Sequence, residues 1–242
     1  MSAMSAEKFI KALKSQRSVE VAQAHRNLAA SNEDKILGVR MGQVFALAKE
    51  YMDLPLDEVE KLLESPIHEA RVGAVSIMDF QARSKKTTEE RRKELFDLYI
   101  RRHDRIDTWD LVDRSAIHVV GGYLMDKPRK ILYKLARSKK MSERRTAIVS
   151  TLYLIGTGDV DDAFKLAEML LDDKDDLIHK AVGWALRYAG DKDPNRLKSF
   201  LDQFAGTMPR MTLRYAIEHF DKDQRDHYLG VKKVGKERKQ IG

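Results

Sequence analysis

Two tryptophans and one aspartate are the side chains of this sequence that best fit a site for chemistry. Trp109 and Asp113 are four residues apart, so on a helix they project from one face, one turn from each other. An aspartate in a helix of apolar and small residues is costly unless it meets a cation or lines a cleft. Indole faces attract cations. The pair therefore predicts a cleft for a positively charged group, although a single tryptophan is more often a core residue.

The same residues interrupt an internal repeat. Four helical segments align when the sequence is shifted by 37, 37 and 34 residues in succession. One column of this alignment holds two serines, an aspartate and a tryptophan, which are Ser76, Asp113, Ser150 and Trp184. Both tryptophans of the chain then flank one aspartate on the same side of a stack of helices. This arrangement favours a cleft over the alternative that both indoles belong to the core.

Helical periodicity extends through almost the whole chain. Apolar residues recur at spacings of three and four, Pro is sparse, and no clear β-run is bounded by turn residues. Helix pairs that repeat at this length are typical of α-solenoids. We therefore predict an all-α fold, an α-solenoid of HEAT-like helical repeats with a concave basic cleft. Residues 1–230 are expected to form a single domain, followed by a basic, disordered tail over residues 231–242.

The helix that carries the candidate pair is predicted to run over residues 108–125. Asp110 lies on a different face of this helix from Asp113 and is interpreted as a first-turn acid that interacts favourably with the helix dipole. Two glycines, Gly156 and Gly190, are expected at helix C-caps, where glycine is common.

The composition limits the class of protein and its partners. Lys and Arg number 45 against 38 Asp and Glu, a net charge of +7 that favours an anionic partner. The chain has no cysteine, and its seven histidines lack ligand spacing, so neither disulfides nor a metal site are expected. Residues 1–10 lack the apolar core expected of a signal peptide, and no apolar run reaches about 18 residues. We therefore expect a soluble, cytoplasmic monomer that uses no cofactor, no metal and no membrane.

Three motifs, taken in order, resemble a known family. They are Thr108-Trp-Asp-Leu-Val-Asp113, Arg144-Arg-Thr-Ala-Ile148 and Lys180-Ala-Val-Gly-Trp-Ala-Leu-Arg187. The set resembles the AlkD-type DNA alkylation repair glycosylases, which are built from HEAT-like helical repeats, and the resemblance covers residues 37–229. The sequence departs from the family pattern at Thr108, where the best-known members place a second tryptophan, and over residues 40–42.

The resemblance implies an activity and a site. The implied activity is that of a DNA glycosylase, associated with the nucleoid, that excises cationic N3- and N7-alkylated purines from double-stranded DNA in base excision repair. The active cleft of the family corresponds here to Trp109, Asp113, Arg145 and Trp184. Asp113 is then the catalytic carboxylate, and the other three residues are expected to bind the lesion.

Basic residues near these motifs are candidates for contacts with the DNA backbone. They are Arg114, Arg144, Lys180, Arg187, Arg210 and Arg214. Two alternatives stay open: a non-catalytic helical-repeat protein that binds DNA by shape, and a HEAT scaffold that binds another protein. A fully buried, salt-bridged Asp113 would favour the scaffold, because a scaffold needs no accessible carboxylate.

Overall fold

The computed structural model of the chain describes residues 4–24 and 34–231. Within these two ranges the chain forms fourteen α-helices and one π-helical turn, and no β-strand. The predicted all-α fold class is therefore confirmed. Residues 232–242 of the predicted tail lie outside the described ranges. None of the helices in the described part of the chain is long and apolar enough to span a membrane.

The described residues divide into two compact units, with the boundary between Arg129 and Lys130. The single domain predicted over residues 1–230 remains a prediction. The first unit contains seven α-helices and the π-helical turn. These are α1 (Ala6–Ser15), α2 (Val19–Ala24), α3 (Met41–Glu50), α4 (Leu56–Glu64), α5 (His68–Arg83), α6 (Glu89–Arg101), α7 (Trp109–Ala116) and the π-helical turn (Ile117–Gly121).

Helix α5 is the core element of the first unit. It packs against α1, α3, α4, α6 and α7, and nearly all of its residues are buried. A helix buried on all sides normally carries apolar residues, yet α5 also buries four charged or titratable side chains, His68, Glu69, Arg71 and Asp79. Because buried charges must be paired, these side chains determine how the neighbouring segments attach to α5.

Helix α7 does not continue as predicted. The sequence indicated one helix over residues 108–125, whereas α7 gives way to the π-helical turn. Two contacts with the buried carboxylate of Asp79 lie on either side of this change. Arg114 Nη1 donates to Oδ2 at 2.7 Å, and His118 Nδ1 lies 2.7 Å from Oδ1. These contacts with α5 are tertiary, so the apolar spacing of the sequence could not reveal them.

The second unit contains seven α-helices, and α9 and α11 form its centre. Helix α9 packs against α8, α10 and α11, while α11 packs against α9, α10, α12 and α13. The helices are α8 (Lys130–Ala136), α9 (Met141–Gly156), α10 (Asp161–Leu170), α11 (Asp176–Lys192), α12 (Pro194–Phe204), α13 (Arg210–Ala216) and α14 (Lys222–Gly230).

The two glycines predicted at helix C-caps have different roles. Gly156 is the last residue of α9, one residue before the C-cap at Thr157, so that prediction is wrong by one position, and the chain turns at Gly158, which has a φ of 95°. The prediction for Gly190 is wrong, because α11 continues to Lys192. A Cβ at Gly190 would lie 2.2 Å from Leu197 Cδ2, so the missing side chain allows α12 to pack closely on α11.

Candidate functional site

Trp109 and Asp113 lie on the accessible side of α7. Trp109 is the first residue of the helix and 39% exposed, and Asp113, one turn later, is half-buried. Leu111 and Val112 on the other side of α7 are fully buried. The helix therefore has one face in the core and presents an indole and a carboxylate on the other. Neither the core interpretation of Trp109 nor a fully buried Asp113 agrees with this exposure.

In the repeat column that contains Asp113, the serines differ in burial from the aspartate and the tryptophan. Its two serines, Ser76 and Ser150, are fully buried, whereas Asp113 and Trp184 are each half-buried. The serine hydroxyls bond inside the protein: Ser150 Oγ donates to Thr146 O at 2.6 Å, and Ser76 Oγ accepts from a side chain of α7 at 3.0 Å. The column is thus structural in two repeats and accessible in the other two.

The first turn of α7 is attached to α5 by a buried polar contact. His68 is fully buried at the start of α5, and its Nε2 lies 2.8 Å from Asp110 Oδ2. Burial raises the pKa of Asp110, but the hydrogen bond and charge of His68, together with hydrogen bonds from Thr108 and the backbone, lower it by more, and the pKa of this carboxyl ends below its ordinary value. Asp110 is therefore more than the first-turn acid predicted from the sequence.

A buried arginine on α5 makes a second attachment just before α7. The guanidinium of Arg71 is fully buried, and its Nη1 donates to Asp107 Oδ1 at 2.8 Å. Its Nη2 lies 2.9 Å from Asp34 Oδ2, and Nη1 also reaches Arg105 O at 3.4 Å. One side chain thus holds together the segment that precedes α3 and the segment that leads into α7.

Arg114, predicted to contact the DNA backbone, is engaged inside the first unit. Its Nε donates to Ser76 Oγ at 3.0 Å and its Nη1 to Asp79 at 2.7 Å. The guanidinium also lies 4.9 Å from the centre of the Phe45 ring and 4.8 Å from that of Phe80. These contacts make Arg114 a link between α7 and α5, and they leave little of its charge for a ligand.

The two adjacent arginines at the start of α9 bond to different parts of the second unit. Arg145 is 5% exposed, and its Nη1 donates to the carbonyl oxygen of Leu177 in α11. Arg144 makes a two-pronged contact with Asp173, with Nε donating at 2.5 Å and Nη2 at 3.0 Å. Burial raises the pKa of Asp173, but the hydrogen bonds and charge of Arg144, together with backbone N–H bonds from residues 174 and 175, lower it by more, so this pKa is below its ordinary value. Both guanidinium groups are thereby fixed in orientation.

Trp184 lies in the middle of α11 on a surface rich in aromatic side chains. Its ring meets the exposed Tyr188 edge-on, with ring centres 6.1 Å apart and an interplanar angle of 84°. The neighbouring Gly183 allows α13 to pack tightly, because a Cβ there would lie 2.4 Å from Tyr215 Cβ and 2.8 Å from Thr212 O. Close packing of α11 on α13 therefore sets the position of the second indole.

The remaining candidates for backbone contacts fall into two groups. Arg187 forms an ion pair with Glu218, and Arg210 donates to a backbone carbonyl of α14. Lys180 is half-buried and Arg214 is exposed, and neither has an ion-pair partner in the described part of the chain. Lys180 and Arg214 therefore keep their charge available to an anion.

His68, Arg71 and Asp107 were not selected from the sequence, although they hold the start of α7. One signal was present, since Arg71 aligns with Arg145 two repeats later in the column offset by 37 residues. An arginine shared by two repeats indicates a common role, and in the structure both arginines are buried and both bond to the backbone of a later helix or its leading segment. The partners themselves could not be read from spacing.

Comparisons with known proteins agree with this architecture. A family model described as DNA alkylation repair enzyme matches residues 6–220. A solved structure described as a predicted DNA alkylation repair enzyme from Enterococcus faecalis superposes with a TM-score of 0.66 at 16% identity, covering 86% of this chain and 98% of that one. No protein with a curated description was matched. Since the family model spans most of its length, the chain belongs to the family of DNA alkylation repair enzymes.

Proposed function

We propose that this chain is a DNA glycosylase that removes cationic N3- and N7-alkylated purines from double-stranded DNA. The observation that carries the proposal is the accessible face of α7. A half-buried carboxylate, Asp113, stands there one turn from the exposed indole of Trp109, on a helix whose other residues are largely buried. Membership in the DNA alkylation repair enzymes supports DNA as the substrate.

The reaction needs a negatively charged carboxylate near the sugar, and it does not need a general acid to protonate the leaving base. An alkylated purine of this kind already carries positive charge, so it leaves with the electron pair of the broken bond between C1′ and the base and needs no protonation. The sugar then develops oxocarbenium character, and a nearby carboxylate stabilises that charge. We assign this role to Asp113, which also aligns the water that adds to C1′. The proton of that water is released as the new C–O bond forms.

The two indoles provide the selectivity in this proposal. Indole faces attract cations, so Trp109 binds the sugar or the charged base by stacking and by cation–π contact. For the second unit, we propose that Trp184 contacts the DNA in the same way, with Tyr188 extending its aromatic surface. Both contacts favour a cationic base over a neutral one, because the electrostatic part of the attraction is lost for a neutral base.

Binding to the DNA backbone is assigned first to Lys180 and Arg214. No carboxylate of the described residues neutralises either charge, whereas Arg114, Arg144 and Arg187 are each paired with an acidic side chain. Arg145 is proposed to make one phosphate contact from a guanidinium already oriented by the carbonyl of Leu177. Phosphate contacts supply affinity without sequence preference, which suits an enzyme that must find lesions in any sequence.

The decisive experiment is the release of 7-methylguanine and 3-methyladenine from methylated duplex DNA. Asp113→Asn keeps the shape of the side chain but removes its charge, so excision is expected to fall about 10²-fold or more. Asp126→Asn makes the same change at an exposed carboxylate of the first unit and is expected to leave the rate unchanged. Duplex affinity and the melting temperature are measured on both variants.

The outcomes separate the proposed enzyme from its two alternatives. Equal excision by folded Asp113→Asn and Asp126→Asn would remove Asp113 from the mechanism. A wild-type protein that binds duplex or bent DNA but releases no base would be a binder that recognises DNA by shape. A wild-type protein that neither releases bases nor binds DNA would be a scaffold for another protein.

A further inference from the structure

The first turn of α5 is held in place by hydrogen bonds to the segment that precedes α3. The carboxylate of Glu69 accepts backbone N–H bonds from three successive residues, 37–39, at 2.7 to 3.3 Å. Gly38 within this segment has a φ of 81°, and a Cβ there would lie 1.9 Å from Ser18 O. The backbone conformation of this segment therefore requires glycine at position 38, and the hydrogen bonds of Glu69 attach α5 to the segment.

His68, in the same turn of α5 as Glu69, makes the contact with α7. Its ring is fully buried, and Nε2 lies 2.8 Å from Asp110 Oδ2. Since the ionised carboxylate can only accept, Nε2 carries the proton of this hydrogen bond. Asp110 directly follows Trp109 and precedes Asp113 by three residues. A rotation or shift of the first turn of α7 would therefore move the indole and the carboxylate together.

This contact is not the arrangement that would give the greatest stability. The other ring nitrogen of the pair, His68 Nδ1, is buried and has no hydrogen-bond partner within the described residues. An apolar pair of similar volume would avoid the cost of burying this nitrogen and the carboxylate. What the polar pair provides instead is direction, because a hydrogen bond constrains the angle between its groups as well as their distance.

We infer that His68 is a positioning residue for excision: by holding Asp110 it fixes the orientation in which α7 presents Trp109 and Asp113. This inference rests on the proposed glycosylase function. It extends the site to a residue in the core of the first unit that touches neither the DNA nor the reacting atoms. A displacement of about 1 Å at a reacting centre can lower the rate about 10²-fold. Loss of the hydrogen bond between His68 and Asp110 is therefore expected to lower the rate of excision.

The activity test compares two substitutions of His68. His68→Leu removes the donor and keeps an apolar volume, and kcat for 7-methylguanine release is expected to fall about 10-fold or more while KM changes less than about twofold. His68→Gln offers an amide N–H near the former position of Nε2 and is expected to restore most of kcat. His103→Leu, which removes another buried imidazole of the same unit, is expected to leave kcat unchanged.

A variant of the partner keeps the inference testable if His68→Leu does not fold. Asp110→Ala removes the acceptor from the first turn of α7, where alanine is compatible with the helix. Its kcat is expected to fall as in His68→Leu, and the double variant is expected to be no worse than either single variant. Additive losses would mean that the two residues act separately, which would overturn the inference.

A spectroscopic measurement tests positioning without any need for activity. Trp184→Phe leaves Trp109 as the sole tryptophan of the chain, so its fluorescence reports on the start of α7. In this background, His68→Leu is expected to shift the emission maximum and increase acrylamide quenching, whereas His68→Gln and His103→Leu are expected to leave both unchanged.

The two measurements distinguish failure of this inference from failure of the proposed function. A changed Trp109 signal in a protein that releases no base would retain His68 as the anchor of α7 but refute excision, and with it the positioning role. An active protein in which His68→Leu keeps both kcat and the Trp109 signal would overturn the role of His68 and leave the glycosylase intact.

Discussion

The two tryptophans are held in place by different kinds of interaction. Trp109 begins a helix, is 39% exposed, and is positioned by hydrogen bonds and ion pairs that reach α7 and its leading segment from α5. Trp184 lies in the middle of a longer helix whose close packing on α13 depends on Gly183. Polar contacts and glycine packing thus perform the same task, the placement of an indole, in two parts of one chain.

This difference determines which substitutions each region tolerates. Polar attachment fails when a donor, an acceptor or a charge is removed, since the partner is then left buried without compensation. Glycine packing fails when atoms are added, since a closely packed interface has no room for them. The start of α7 should therefore be sensitive to deletions of polar groups, and the centre of α11 to insertions of methyl groups.

The largest expected effect comes from breaking the polar attachment at Arg71. Arg71→Met keeps an unbranched apolar stem but removes the guanidinium that pairs with Asp34 and Asp107. Removal of one partner of a buried ion pair typically costs about 3 to 5 kcal/mol, and urea unfolding measures the change in the free energy of unfolding. A loss below about 1 kcal/mol would show that these ion pairs do not hold the segment.

The next largest effect is expected from adding one methyl group at Gly183. Gly183→Ala forces a Cβ to within 2.4 Å of Tyr215 Cβ, and overpacking of this kind costs about 1 to 3 kcal/mol. Gly156→Ala is the matched control, because nothing lies within 4 Å of a Cβ at that position. If both variants unfold at the same urea concentration as the wild type, packing at Gly183 does not position Trp184.

The two indoles allow a direct comparison. Trp109→Ala is expected to cost much less than the about 3 to 5 kcal/mol typical of a core tryptophan, because Trp109 is 39% exposed. Trp184→Ala is expected to cost more than Trp109→Ala, since Trp184 is further from solvent. Both variants should lose discrimination between 7-methylguanine and a neutral adduct. A large loss of stability with unchanged discrimination would mean that the tryptophan concerned is a core residue and not part of the binding site.

The smallest effect on folding is expected at the charges available to DNA. Lys180→Ala and Arg214→Ala are expected to change the free energy of unfolding by less than about 0.5 kcal/mol. Each should lower the slope of log affinity against log salt by about one unit, as for a single phosphate contact. Arg144→Ala provides the contrast, because it breaks the bonds to Asp173 and should reduce stability. An unchanged slope for Lys180→Ala would exclude it from the DNA interface.

Periodicity was sufficient to predict the parts of the molecule that depend on local spacing. The four-residue separation of Trp109 and Asp113 placed both on one face of a helix, and the structure has them on the accessible side of α7. The repeat offsets identified the column in which Asp113 and Trp184 replace buried serines. Such predictions succeed because a helix converts sequence distance directly into angle.

Features that depend on a distant partner were not accessible in this way. The sequence indicated a C-cap at Gly190, but the glycine serves the approach of Leu197, which comes from another helix. Asp110 was interpreted from its place in the first turn, whereas the lowering of its pKa depends mainly on His68, 42 residues away. A local pattern carries no information about which surface a residue will meet.

The ion pairs of Arg71 have a consequence for how the first unit folds and for how it could change in evolution. Asp34, Arg71 and Asp107 are separated by 37 and 36 residues, about one repeat in each case. In most helical-repeat proteins each repeat interacts only with its neighbours, so ends can fray and repeats can be gained or lost. Here a single guanidinium joins three segments that are 37 and 36 residues apart in the sequence. Folding of this region should therefore be more nearly all-or-none, and deletion of about one repeat length within it would leave a buried charge unpaired.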